Sequence, residues 1–220
     1  MSLTLHFHPF ASFCQKVLIA LYENNTPFTP NLLDLGDEKV RAEFRALWPI
    51  GKMPVLRDEA QDRTIAESSI IIEYLDRHYP GETELLPDDP HLALEMRMRD
   101  RFYDLYVEEP MQKIVTDRLG PAGKADPHGV ETARGTLRTA YGIIEREMAS
   151  RRWAIGHTFS MADCAAAPAL FYANWVEPFG TVHPHMAGYL ERLMNRPSFA
   201  RVVEEARPYR PLFPKESTRQ

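Results

Sequence analysis

The stretch from Tyr79 to Pro90 (YPGETELLPDDP) limits this chain more than any other part of its sequence. Its three prolines, one glycine and four acidic residues suit neither a helix interior nor a central strand. Strand and helix signals alternate before it, and only helical periodicity follows it. The sequence therefore predicts a small α/β domain over residues 1–80, a linker over 81–90 and an all-α domain over 91–220.

In the first part, Leu3, Leu5 and Phe7 alternate with Thr4, His6 and His8, the pattern of a strand that Pro9 ends. Cys14, Val17, Leu18 and Leu21 fall on one helical face, with Ser12 placed as an N-cap. A break at Asn24–Pro27 leads to a strand over Phe28–Leu33, weakened by Pro30, and then a helix around Lys39–Trp48. Val55-Leu56 and Thr64-Ile65-Ala66 flank a polar turn and read as a hairpin, followed by a helix marked by Ile70, Ile71, Tyr74 and Leu75. The order is βαβαββα. In the second part, helices are expected around Leu92–Tyr106, Ala133–Met148, Met161–Val176, Met186–Leu193 and Phe199–Val203. The third of these stretches, Met161–Val176, is apolar nearly all round and should be buried at the centre. The tail from Pro208 is expected to be extended.

Composition excludes several classes. With 44% hydrophobic and 26% charged residues the chain is neither disordered nor fibrous. A net charge of −5 with no basic region gives no electrostatic footprint for nucleic acid. Two distant cysteines, Cys14 and Cys164, form no disulfide framework and suit a reducing compartment. The first residues lack the basic and apolar regions of a signal peptide, and no apolar run is long enough to span a bilayer, so a cytoplasmic location is expected. His6-x-His8 and His183-x-His185 lack a third ligand nearby, so no metal is expected.

A βαβαββα unit with Met53-Pro54 just before its third strand, joined to a helical bundle, resembles the cytosolic glutathione transferases over essentially the whole chain. The resemblance implies a thioredoxin-like N-terminal domain with a mixed sheet, and it is to bacterial, theta-like or zeta-like members. Trp48-Pro49-Ile50-Gly51-Lys52-Met53-Pro54-Val55-Leu56 is similar to the family's N-P-x-G-K-[VI]-P-x-L stretch, with Trp in place of Asn. By resemblance the proline is cis and the Met53 main chain meets an extended peptide, so Lys52, Met53 and Pro54 are glutathione-binding candidates. Glu67-Ser68 resembles the family's E-S pair. Ser68 at a helix start would hold the γ-glutamyl carboxylate, and Glu67 would face the ammonium group.

The resemblance also places the thiol-activating residue in the loop His8-Pro9-Phe10-Ala11-Ser12-Phe13-Cys14. Counting back from Val17 puts the family's serine at Ala11, so a one-residue shift makes Ser12 the candidate. Cys14 is the rival, similar to members that form a mixed disulfide, although it also fits the apolar helix face. Phe10, Tyr103 and Tyr106 are candidates for the electrophile pocket, against the alternative that the tyrosines are core. Ser160 and Asp163 match the family's [ST]-x-A-D box and have a structural role as a capping pair.

The function implied is a transferase that adds the glutathione thiolate to a small hydrophobic electrophile, with glutathione as cosubstrate and a role in detoxification. A glutathione-dependent isomerase or dehalogenase of the same fold is the enzymatic alternative, and a non-catalytic binding or scaffolding protein is the alternative of another class. A homodimer is expected, with Tyr74, Met96 and Arg97 at its interface.

Overall fold

The computed structural model describes residues 2–121 and 123–215. The first unit runs β1 (Leu3–Phe7), α1 (Ser12–Glu23), β2 (Thr29–Leu32), α2 (Glu38–Leu47), β3 (Val55–Asp58), β4 (Arg63–Ala66) and α3 (Ser68–His78). Its four strands form one mixed sheet in the order β2-β1-β3-β4, with β1 parallel to β2 and antiparallel to β3. The order expected from the sequence is the one observed. Pro30 fits because β2 is an edge strand, where a missing N–H can face away from the ladder.

The second unit is helical: α4 (Pro90–Tyr103), a π-turn (Asp104–Glu108), α5 (Glu109–Leu119), α6 (Pro127–Met148), α7 (Met161–Val176), α8 (Pro184–Met194) and α9 (Pro197–Ala206). The long helix expected through Tyr106 instead gives way to the π-turn after Tyr103. Sequence periodicity also left α5 without a signal of its own. The tail expected to be extended is a 3-10 helix over Arg207–Leu212 before Phe213. Every residue of α7 from Met161 to Ala173 is buried, as its apolar composition requires.

The two units share one continuous apolar core, in which α1 packs against α3 on its own side and against α7 and α9 on the other. That explains why Cys14 to Leu21 are all buried, where the sequence pattern showed a single apolar face. The linker is also tied down. Leu85 is buried, its N–H donates to Asp76 at 2.9 Å, and its carbonyl accepts from the Met161 N–H at 3.0 Å.

A buried charge cluster joins the units. Lys16 on α1 is 1% exposed, and its ammonium lies 2.6 Å from Asp100 on α4 and 2.9 Å from Asp104 in the π-turn. It also donates to the Ser69 hydroxyl on α3 at 2.9 Å, and Ser69 donates to Asp100 at 2.6 Å. Removing one partner from such a cluster leaves buried charge uncompensated, at about 3–5 kcal/mol. Lys16→Met leaves Asp100 and Asp104 with only Arg101 and Ser69 as partners and should lower stability by up to that amount in denaturant titrations. An unchanged midpoint would show that water already reaches the cluster.

Candidate functional site

The strand-to-helix loop after β1 is shaped by side chains that turn back onto it. The His8 ring accepts from the Phe10 N–H at 3.1 Å. Gln15 donates to the Pro9 carbonyl at 2.8 Å and the Tyr172 hydroxyl donates to the Phe10 carbonyl at 3.2 Å. This brings Phe10 edge-on to Tyr172, with ring centroids 5.4 Å apart. Ala11, not Ser12, is the N-cap of α1, and it offers no side-chain cap. Ser12 is the first helical residue. Its hydroxyl donates to the carboxylate of Glu108, the last residue of the π-turn. The N–H groups of Ser12 and Phe13 stand at the open start of the helix, where no preceding turn supplies carbonyls.

Cys14 points into the core. It is fully buried, and burial pushes its thiol up to about 12. A reactive cysteine needs accessible thiolate, so the rival reading of Cys14 as a nucleophile lacks both exposure and acidity.

The chain reaches Lys52 through Gly51, whose φ of +69° a side-chain-bearing residue rarely adopts. The Met53–Pro54 peptide bond is cis. Between β4 and α3, Glu67 has φ of +67°, a conformation that costs of order 1–3 kcal/mol for a residue other than glycine and marks functional junctions. It turns the chain so that Ser68 starts α3. Glu67 is the N-cap and Ser68 the first helical residue, one place later than a serine cap.

These segments enclose two cavities. The first, about 410 Å³, lies at the start of α3 against α4. Pro54, Glu67, Ser68 and Ser69 line it on one side, with Arg97, Asp100, Arg101 and Asp104 opposite. It offers charges of both signs. The second, about 490 Å³, is mainly apolar and is lined by Phe10, Ser12, Met111, Val115, Tyr172 and Phe213 among others. Phe13, Lys52 and Met53 line both.

The structure thus gathers Phe10, Ser12, Lys52, Met53, Pro54, Glu67 and Ser68 around adjoining spaces. It does not bring Tyr103 or Tyr106 there. Tyr103 is 1% exposed and its hydroxyl pairs with Tyr189 in the core. Tyr106 is half exposed and packs on Phe102 beside a separate groove along α6. The π-turn changes the helical phase after Tyr103, which is why regular spacing misplaced Tyr106. The apolar wall comes instead from Met111 and Val115 on α5, Tyr172 on α7 and Phe213 after α9. Of these, only Tyr172 lay in a stretch that the sequence marked as a helix.

Asp163 is fully buried and holds four donors. Its Oδ2 accepts from the Ser160 N–H at 2.9 Å and the Ser160 hydroxyl at 3.2 Å, and its Oδ1 from the Ala154 N–H at 2.9 Å and Tyr189 at 2.6 Å. Asp163 thus closes the start of α7 and also anchors α8, as the structural reading of the pair requires. No group of three or more potential metal ligands occurs among the described residues. Among the same residues no helix is long and apolar enough to cross a membrane.

Comparisons with known proteins point in one direction. Residues 5–83 match the model of the glutathione S-transferase N-terminal domain and residues 103–197 that of the C-terminal domain. The chain is 26% identical to glutathione S-transferase GstB of Escherichia coli K12, covering 86% of this chain and 91% of that one. It is 29% identical to FtsZ-localized protein A of Caulobacter vibrioides, covering 93% and 92%. Among solved structures, a glutathione-bound glutathione S-transferase from Methylobacillus flagellatus superposes with a TM-score of 0.83 at 23% identity, covering 91% of this chain and 98% of that one.

Burial pushes the Glu108 carboxyl up to about 7, against the hydrogen bonds from Ser12 and Gln112 that favour its charge. Its folded value lies above that of an unfolded glutamate. The folded protein therefore holds the proton more tightly, and this contribution to stability is full below about pH 4 and lost as pH rises through about 7. Wild type should lose about 3 kcal/mol from this group between those limits. Glu108→Gln should remove that part of the slope in unfolding free energies measured across the range, and an unaltered slope would show that Glu108 ionises freely in the fold.

Proposed function

Because this chain belongs to the glutathione S-transferase family, we propose that it ionises the thiol of glutathione and adds the thiolate to a small hydrophobic electrophile. The observation that carries this reading is the shared wall of the two cavities. Phe13, Lys52 and Met53 border a polar space suited to a charged tripeptide and an apolar space suited to its partner. A thiol at that wall meets both.

The polar cavity matches glutathione in charge. The first turn of α3, at Ser68 and Ser69, offers N–H groups and the positive end of the helix dipole to the γ-glutamyl carboxylate. Glu67 faces the ammonium group, and Lys52 lies where a second carboxylate would be met. Ser12 is the polar side chain of the α1 start that lines the apolar cavity beside Met53. We assign it the sulfur. One charge-assisted hydrogen bond is worth about 1.5–3 kcal/mol, or roughly one to two pKa units of thiol acidification. The apolar cavity, walled by Phe10, Met111, Tyr172 and Phe213, takes the electrophile by burial of apolar surface. A cytoplasmic role in detoxification agrees with this chemistry.

A homodimer is part of the same reading. Leu94 and Met98 lie one turn apart on α4 and are 67% and 47% exposed. They join Tyr74 and Arg97 as the candidate contact, whereas Met96 does not reach the surface. Met96 is fully buried within the protomer, Tyr74 donates to Asp58 at 2.7 Å, and Arg97 is ion-paired with Glu73 at 2.7 Å. Leu94→Glu with Met98→Glu should shift sedimentation from dimer to monomer. A wild-type protein that is monomeric at micromolar concentration would rule out the dimer.

The functional reading is tested by calorimetry with glutathione and by assays with a panel of electrophiles. Glu67→Ala and Ser68→Ala should each weaken glutathione binding about ten- to a hundredfold while the fold persists. Ser12→Ala should raise the pKa of the bound thiol and reduce turnover at neutral pH, with less effect at high pH. Cys14→Ala should leave the pH profile alone. Isomerisation or dehalogenation without conjugation would move the reaction class. Absence of glutathione binding would leave a binding or scaffolding protein.

A further inference from the structure

Behind Ser12 lies a carboxylate that the reading above does not use. Glu108 is 2% exposed. Its Oε1 accepts from the Ser12 hydroxyl and, at 2.9 Å, from Gln112 on α5, while its buried Oε2 has no hydrogen-bond partner among the described residues. With its hydrogen directed at Glu108, the Ser12 oxygen presents lone pairs to the cavity. In that arrangement it can accept from a thiol, but it has no proton left to donate to a thiolate.

The groups around Glu108 do not neutralise it. Asp104 in its own turn pushes the Glu108 carboxyl up, Lys16 from α1 is already held by Asp104 and by Asp100 from α4, and Arg101 from α4 is ion-paired with Asp104. Tyr172 from α7 feels the Glu108 charge, but its hydroxyl donates to the Phe10 carbonyl. The buried face of α6 is apolar apart from Tyr141, whose hydroxyl donates to the Glu177 carbonyl at 2.9 Å. An ionised carboxylate at this depth, with no ion-pair partner among the described residues, is costly, and proton uptake relieves it.

We propose that Glu108 is a positioning residue that takes up the glutathione thiol proton through Ser12. The proposal rests on the assignment of Ser12 to the sulfur. The S–H bond breaks as its proton passes to the Ser12 oxygen, and the electron pair stays on sulfur. The original Ser12 proton moves to Glu108 Oε1, forming the neutral acid. Ser12 ends with one hydrogen, now directed at the thiolate, and Glu108 donates to the Ser12 oxygen. The negative charge has moved from a buried carboxylate to the reacting atom, so the site gains no net charge. With its carboxyl at about 7, Glu108 lies within about two units of a free thiol, a match that permits transfer in this direction once Ser12 and the helix start stabilise the thiolate.

Proton counting tests this. Glutathione is added to the full-length protein at about pH 7.5 in weakly buffered solution. Thiolate is read by ultraviolet absorbance and released protons by an indicator dye. Wild type should release clearly less than one proton per thiolate formed, because much of the proton stays on Glu108. Glu108→Gln keeps the shape and an acceptor for Ser12 but cannot take the proton, so it should release about one proton per thiolate. The ratio is normalised to thiolate, so weakened affinity or partial unfolding does not move it. A full proton per thiolate in wild type overturns the proposal even if the Gln variant fails to fold. If Ser12→Ala then lacks the thiolate signal, the Ser12 assignment survives that result. If Ser12→Ala forms thiolate as wild type does, both fall, and both also fall if wild type forms none.

Discussion

The ammonium of Lys16 is the contact on which the rest of this structure depends. It enters the interior on α1, is almost completely buried, and holds Asp100 and Asp104 from the helical unit and Ser69 from α3. A buried lysine has no stable alternative to such partners, because unpaired charge at that depth costs several kcal/mol. The three anchors therefore set the distance between the sheet unit and the helices. They also set the geometry of the polar cavity, since Asp100, Asp104 and Ser69 are part of its lining.

The apolar cavity depends on a different constraint. Its walls come from α5, α7 and the segment after α9, which meet only because α7 is buried between α1 and α4. Phe213 reaches Trp175 and Tyr172 with ring centroids 4.8 Å and 6.1 Å away. The segment beyond α9 is thus held by an aromatic cluster and completes the pocket. Aromatic contacts of this type each add about 0.5–1.5 kcal/mol beyond burial, enough in combination to hold a short tail.

Electrostatics differ across the shared wall. The polar side holds the paired charges of Lys16, Asp100, Asp104 and Arg101, whereas behind Ser12 the Glu108 Oε2 has no hydrogen-bond partner among the described residues. Asp104 and Glu108, four residues apart within the π-turn, both occupy buried positions, one against Lys16 and the other against Ser12.

The sequence by itself determined the βαβαββα order, the helical second unit and the segments that meet at the site. Alternation, punctuation by proline and glycine, and short motifs are local properties, so Met53-Pro54, Glu67-Ser68 and Ser160–Asp163 were legible where they stand. Burial was legible too for α7, because an apolar helix has no other place to go. Only the tertiary structure decided which face of Ser12 meets Glu108, ninety-six residues away in the chain. It also decided that Cys14 is core, that Tyr103 belongs to the Asp163 network, and that Met111, Tyr172 and Phe213 form the apolar wall. Those outcomes depend on how helices pack and on one π-turn that shifts the phase of α4 into α5. Neither is written in the local pattern, because a helix's apolar stripe says that a face is buried and not against what.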